Sequence, residues 1–330
     1  MMTCPVRPLQ PTIPGDRCML SENARAKARQ LAGPHPAYFL SQLVLAWMVI
    51  IGAVAWAAHT NNPWASLLTI FIVATRQNVL ALLVHEQAHC LGFKPRFGDL
   101  LTNLFAAYPL LFLTVEGYAK VHLSHHRYFF SEQDPDHIRK NGPDWTTPMT
   151  VGKLTKLLAA DILGLNVLKL VKGKRMPKGA ATEFSRKSYP AFRLAFLLGA
   201  ATIFTVTGTW HAFLLYWALP LLTVFQAIVR WGALAEHKYN LPGASVAEAT
   251  PVIIPSWFDR IVLPNLNFSM HVYHHYFPGV SAGNLPKLHE IYLQEDLVNE
   301  TALFHGNRAY LRFLLGMGKP QASPVESAQT

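Results

Sequence analysis

The sequence predicts an all-α, polytopic membrane protein: four transmembrane helices in two hairpins, and a cytosolic helical cap holding a histidine-rich di-metal site. Three observations predict it. Only 15% of the 330 residues are charged while 51% are hydrophobic, and the mean hydropathy is +0.19, a balance unlike that of soluble domains. The long apolar stretches come in two pairs, each joined by a short polar turn. The pattern H-x-x-H-H occurs twice, at His122-Leu123-Ser124-His125-His126 and His271-Val272-Tyr273-His274-His275, with a third box at His85-Glu86-Gln87-Ala88-His89.

Residues 1–36 open with a polar, proline-punctuated segment that is not a signal peptide and reads as a mobile cytosolic tail. Ala37 to Ala58 contains no charged residue and is long enough to cross a bilayer core, which needs about 20 helical residues. His59-Thr60-Asn61-Asn62-Pro63 is a tight turn, and the chain returns from Trp64 to Val84. Leu100 to Val115 is too short to span and reads as a buried or re-entrant helix. Arg127 to Arg193 is polar and basic, with Lys169, Lys172, Lys174, Arg175, Lys178, Arg186 and Lys187, and reads as a solvated cytosolic loop whose helices lie on anionic lipid.

The second hairpin runs from Phe192 to Thr207, turns at Gly208-Thr209-Trp210-His211 and returns from Phe213 to Val229. Neither hairpin turn contains Lys or Arg, whereas basic residues flank the other ends. The positive-inside rule therefore puts both termini and all three boxes on the cytoplasmic side. After Pro242, Pro251 and Pro255, the residues Trp257, Phe258, Arg260, Ile261 and Leu263 suit an interfacial helix that delivers the last box. The main domain is read as 37–292, followed by a C-terminal cytosolic helix and tail at 293–330.

On a helix, positions i, i+3 and i+4 share a face, so each H-x-x-H-H box is expected to aim three imidazoles at a common point. Imidazole is the commonest metal ligand near neutral pH, and eight converging rings exceed what one metal uses. Net charge of +10 does not imply nucleic acid, because the basic residues flank apolar spans. Cys4, Cys18 and Cys90 have no C-x-x-C spacing, which excludes a four-thiolate iron–sulfur centre.

The three boxes in this order resemble the integral-membrane fatty acid desaturase and hydroxylase superfamily. So do Asp134-Pro135-Asp136 after the second box, Arg230 and Glu236-His237 at the end of the last span, Asn267 before the third box, and Pro278 with Asn284-Leu285-Pro286-Lys287-Leu288-His289 after it. The resemblance implies a non-haem di-iron core with two Fe ions and O2 as co-substrate. The ligands it implies are His85, His89, His122, His125, His126, His271, His274 and His275, with His237 as a ninth. Some relatives place an Asn four residues before that ninth histidine; here the position is Ala233, which favours an all-histidine site.

The implied reaction is desaturation of a lipid acyl chain. The alternatives are hydroxylation or oxidative decarboxylation of a fatty acid, and ketolation or hydroxylation of another lipid, by the same core. Without a fused cytochrome, flavin fingerprint or cysteine cluster, electrons must come from a separate ferredoxin, or from a cytochrome with its reductase.

Neutral imidazoles leave the charge of two metal ions uncompensated, so nearby carboxylates are expected to orient and neutralise them. Glu86, Asp134, Asp136 and Glu236 are the candidates. Arg76 sits inside an apolar span, where charge is costly and marks function or a buried partner. Arg230 is a candidate to pair with Glu236, a ligand-shell acid or a lipid carboxylate. His35, His59, His211 and His305 are read as remote from the metal, and His137 and His289 as structural hydrogen-bonding groups. A rival of another class is an intramembrane zinc protease, since His85-Glu86-Gln87-Ala88-His89 also satisfies H-E-x-x-H.

Overall fold

The computed structural model describes residues 19–167, 178–180, 184–298 and 303–317. Cys4, Cys18, Lys169, Lys172, Lys174 and Arg175 lie outside the described residues. The described chain is helical apart from one short two-stranded parallel ribbon.

Four helices are long and apolar enough to cross a membrane: α2 (Pro36–Thr60), α3 (Pro63–Ala88), α8 (Pro190–Thr207) and α9 (Trp210–Glu236). They are the four predicted spans; the first three are longer than their apolar runs by a few residues, and the last, Trp210–Glu236 (27 residues), by more. Asn61, with φ of 46°, stops α2, and Asn62 caps α3 by accepting a hydrogen bond from the Trp64 N–H at 2.9 Å. Pro63 then fills the first position of α3, where no N–H is needed. Gly208, with φ of 67°, ends α8 in the same way. α8 buries none of its residues, as befits a helix whose solvent is lipid rather than water. α9 is irregular: Leu214–Ala218 is a π turn, and the helix breaks at Thr223 after Pro220 before resuming over Val224–Glu236.

The segment predicted to be re-entrant does fold back. A short helix, α4 (Phe97–Thr102), runs into a π turn at Asn103–Ala107. The Asn103 side chain then accepts from the Val115 N–H at 2.9 Å and donates to Glu116 at 3.0 Å, joining the two ends of the excursion. Trp47 of α2 and Trp217 of α9, stacked at 5.4 Å, each donate an indole N–H to it, at the Phe105 and Pro109 carbonyls. The excursion leads into α5 (Val115–Arg127), which carries the second box and is capped by Thr114.

Beyond the spans lie α6 (Pro135–Lys140), α7 (Val151–Ile162), α10 (Val246–Ala249), α11 (Trp257–Val262), α12 (His271–Tyr276), α13 (Leu285–Gln294) and α14 (Asn307–Leu314). α11 is short and presents Trp257, Phe258 and Ile261 to the outside, as its interfacial reading requires. Strands β1 (Val252–Ile254) and β2 (Leu303–His305) form the ribbon, which the sequence reading missed because three-residue strands have no legible period.

One domain expectation needs correction. The described part of residues 1–36 is not a free tail: α1 (Glu22–Gln30) buries Leu20, Ala24 and Ala28 in the main apolar core beside α13. Ser21 bonds Glu295 through both its N–H and its hydroxyl at 2.9 Å, and Gly33 N–H donates to the Gly279 carbonyl at 2.8 Å. At the other end α14 is integral to the fold, because the Tyr310 hydroxyl donates to the Leu234 carbonyl at 2.6 Å and β2 pairs with β1. Polar composition suggested a tail, and a small-residue helix face docking on a distant partner overrode it.

Ala28 is fully buried, so Ala28→Asp places an unpaired charge in the core. We expect a loss of about 3 kcal/mol or more, read as a lowered melting temperature of the detergent-solubilised protein. An unchanged melt would mean that α1 does not contribute to the core.

Candidate metal centre

All nine histidines singled out from sequence come together at the end of α3 and α9, but not as the box pattern suggested. Neither H-x-x-H-H box aims its three rings at a common point; each box is divided between two neighbouring clusters. His85, His89, His122 and His274 form a group able to hold a metal ion, and His125, His237 and His275 form another. The Nε2 of His126 lies 3.0 Å from that of His122 and 3.1 Å from that of His274, joining the first cluster; His271 Nε2 lies 3.2 Å from His275 Nε2, joining the second.

The division follows helix geometry. The i, i+4 pairs stay together (His85 with His89, His122 with His126, His271 with His275), while each i+3 residue, His125 or His274, goes to the opposite cluster. Successive positions turn by about 100°, so i+3 and i+4 diverge enough to serve two points only a few ångströms apart. The two H-x-x-H-H helices serve the clusters in opposite senses.

The ring nitrogens are arranged as ligands rather than as an ordinary hydrogen-bond network. His122 Nε2 lies 2.9 Å from His89 Nε2, and His237 Nε2 lies 3.2 and 3.1 Å from those of His125 and His275. So many Nε2 atoms converging leave lone pairs that each other's protons cannot all satisfy. His125 Nδ1 meets Asp134 at 2.8 Å and His237 Nδ1 meets the Thr250 hydroxyl at 3.0 Å. A proton held at Nδ1 leaves Nε2 as the free donor, directed inward. Both nitrogens of His85 lack hydrogen-bond partners in a buried site. This donor set, neutral and orphaned, fits divalent transition-metal ions.

Burial pushes the rings of His122, His126, His237, His271, His274 and His275 well below the ordinary imidazole range, and neighbouring imidazoles push the same way. His89 is lowered to about 3 by burial, with the Arg186 guanidinium adding to the effect. The rings are therefore neutral at pH 7 and free to bind metal.

The Asp134 carboxylate meets a ring nitrogen of the second cluster. It holds His125 and also caps α6, accepting from the N–H groups of Phe130 at 2.9 Å and Asp136 at 2.8 Å. Asp136 does something else. It pairs with Lys140 at 2.8 Å and accepts from the Tyr239 hydroxyl at 3.1 Å. Burial, the largest single influence, opposes its charge, but Lys140, His125 and the Tyr239 hydroxyl together hold the carboxyl below its usual range.

Glu86 is likewise turned away from the rings. It accepts from the Ala282 N–H at 3.2 and 3.3 Å, while the Ala282 carbonyl accepts from Asn267 at 3.1 Å. Glu86 and Asn267 thus fasten the first box to the segments on either side of the third. Glu86 is committed to that junction, which leaves the zinc-protease reading without its water-activating base. Glu236 lines the cavity beside His237. Arg76 stays with its neighbour Thr75 at 3.2 Å, and the polar residue of that span reaching the cavity is Asn78.

Arg230 pairs with neither Glu236 nor a ring-orienting acid. Its Nε and Nη2 both bond Asp161 of α7, with Nη2 at 3.1 Å, and the guanidinium stacks 5.0 Å from the Trp145 ring. His137 and His289 have the expected structural partners, the Tyr239 carbonyl at 3.1 Å and the Tyr273 hydroxyl at 2.6 Å.

Arg186 was read as part of a solvated loop, yet it clamps the end of α3. Its guanidinium donates to the carbonyls of Gln87 at 3.1 Å and Ala88 at 2.5 Å and to Asp99 at 3.0 Å. Gln87 is itself fully buried and donates to Asp99 at 2.8 Å. Gly98 is required here because a Cβ would lie 2.5 Å from the Gln87 side chain. No periodicity marks this clamp, since its members come from three separate segments.

A cavity of about 240 Å³ adjoins both clusters. His85, His122, His125, His237 and His271 line it, together with apolar Ala81 and Leu82 of α3, Ile228 and Val229 of α9, Leu263 and Phe268.

Residues 62–306 match the family model for fatty acid desaturases. A relative, the dihydrorhizobitoxine desaturase of Bradyrhizobium elkanii, is 27% identical over 263 residues, covering 74% of this chain and 73% of that protein. The chain belongs to the fatty acid desaturase family. It is therefore a membrane oxidoreductase of the desaturase and hydroxylase type.

Two predictions follow from the geometry. Arg230→Ala strands Asp161 as a buried, unpaired carboxylate, so it is expected to destabilise the protein by about 3–5 kcal/mol, measured by denaturation; loss of turnover at unchanged stability would restore a substrate role. The folded-state imidazoles also titrate below their unfolded value of about 6.5. As pH falls below that value the unfolded state takes up more protons, so metal-free protein should lose stability steadily toward about 3, where His89 itself protonates. Melting temperatures that stay flat between neutral pH and pH 5 would contradict the buried, neutral rings.

Proposed function

We propose that this protein desaturates a lipid acyl chain, using O2 and two iron ions held by the two histidine clusters. The single observation that carries the reading is the pair of clusters beside one cavity, which histidines of both groups line together with apolar residues of α3 and α9. His85, His89, His122, His126 and His274 would hold one iron, and His125, His237, His271 and His275 the other. Bound there, iron supplies O2 activation and an oxidant strong enough to break an unactivated C–H bond.

The chain's own residues do the rest. Asp134 and Thr250 fix the tautomers of His125 and His237, so that each presents a lone pair inward. The Arg186 clamp sets the angle at which α3 delivers His85 and His89. Ala81, Leu82, Ile228, Val229 and Leu263 exclude water and take up the apolar substrate.

In the balanced reaction, two adjacent carbons each lose a hydrogen and form a double bond. O2 takes those two hydrogens, two protons and two electrons, and leaves as two water molecules. The electrons come from a separate ferredoxin or cytochrome carrier. The relative's name, a desaturase, supports alkene formation over hydroxylation. We further propose that α2, α3, α8 and α9 span the membrane as two hairpins, with both termini and the iron site on the cytoplasmic side. Basic flanks and uncharged turns support that orientation.

The test is iron analysis of the purified protein together with mass spectrometry of lipids from cells expressing it. Two irons per chain and a new double bond are expected. His274→Ala should remove iron and product together, and Asp134→Asn should weaken metal binding on the order of 10–100-fold. One zinc per chain, or full activity in His274→Ala, would overturn the reading.

A further inference from the structure

Gly232 stands in the interior of α9, where glycine is unfavourable for a helix. Packing accounts for two other glycines of this protein. A Cβ at Gly92 would lie 2.7 Å from the Phe39 ring, and one at Gly98 would meet Gln87. Neither packing nor backbone conformation demands Gly232, since its φ is not positive and an added Cβ meets nothing within 4 Å. The space it leaves open is the cavity that it lines.

Residues of α3, α5 and α9 line that cavity, and α3 and α9 lead to His85 and His237 respectively. Ala81 lies four residues before His85 and Gly232 five before His237, so both sit at a similar depth, about 6 and 8 Å along their helix axes from the metal-site histidines. Asn78 and Ile228 line the cavity one or more turns deeper, about 10–14 Å from the same reference. Gly232 and Ala81 thus fall between the metal-site histidines and the deeper lining residues Asn78 and Ile228, with the small Ala233 and Ala235 nearer His237.

We propose that Gly232, together with Ala81, sets the length and girth of the apolar substrate segment beyond the carbons that react. A slim methylene chain passes this level and occupies the deeper cavity; a side chain at Gly232 closes it. The proposal rests on the reading of the cavity as an acyl-chain site, and assigns Gly232 to specificity rather than to chemistry.

The test uses the full-length, iron-loaded protein in detergent. Binding of a fluorescent conjugated-polyene fatty acid is displaced by octanoate, laurate or palmitate, and products from the same acids are analysed in parallel. Gly232→Leu should weaken palmitate on the order of tenfold or more while affecting octanoate far less, and Gly232→Ala should fall between it and the parent. Gly199→Leu, the same change on the exposed face of α8 where a Cβ also meets nothing within 4 Å, should alter neither.

Equal palmitate and octanoate binding ratios in Gly232→Leu and the parent, or a uniform loss at every length with iron retained, would overturn the proposal. If Gly232→Leu fails to retain iron, Gly232→Ala decides by the same ratio. A length-dependent binding loss with no oxidation of any acid by the parent keeps the slot and removes the reaction. Oxidation by the parent with an unaltered length profile in the variants does the reverse.

Discussion

Nine imidazoles crowded into a water-poor site are tolerable only while they stay neutral and their lone pairs have somewhere to go. Burial favours the first condition, and two groups able to hold a metal ion answer the second. The surrounding structure serves that constraint. Four helices end or begin at the site, and three of them are locked where their histidines leave them: α3 by Arg186, Gln87 and Asp99, α5 by Asp134, and α12 by the Glu86–Ala282–Asn267 junction. Without those locks, rings on short helices would rotate out of register. A wrong rotamer at a single box position sends its ring toward the other cluster.

The same geometry explains why repeated boxes do not make a symmetric site. H-x-x-H-H supplies two rings to one cluster and one to its neighbour, whichever way the helix points. Two such helices in opposite senses, with H-x-x-x-H added on one side and His237 on the other, give five rings against four. That imbalance follows from the spacing of the boxes and from helical pitch, not from any difference between the residues.

Much of this was legible in the chain itself. The spans were marked by hydropathy and the ring nitrogens by residue type and spacing, because both signals are local. Asp134 was visible for the same reason, lying nine residues from the histidine it holds. The division of each box between two clusters was a local misreading of helix geometry, but the other misplaced residues are long-range failures. Arg230 was matched to Glu236 because they are neighbours in sequence, whereas its partner Asp161 lies 69 residues away. Arg186 resembled any other basic loop residue until its contacts with α3 were seen. The α1 helix reads as polar because only one narrow stripe of it, Ala24 and Ala28, touches the core.

Ser21 and Glu295 meet although 274 positions separate them along the chain, and His271 to His275 arrive only shortly before that contact. A nascent polypeptide leaving the ribosome therefore carries its first box for nearly two hundred residues before either cluster is complete. Neither group of histidines able to hold a metal ion is complete until His274 and His275 have been made.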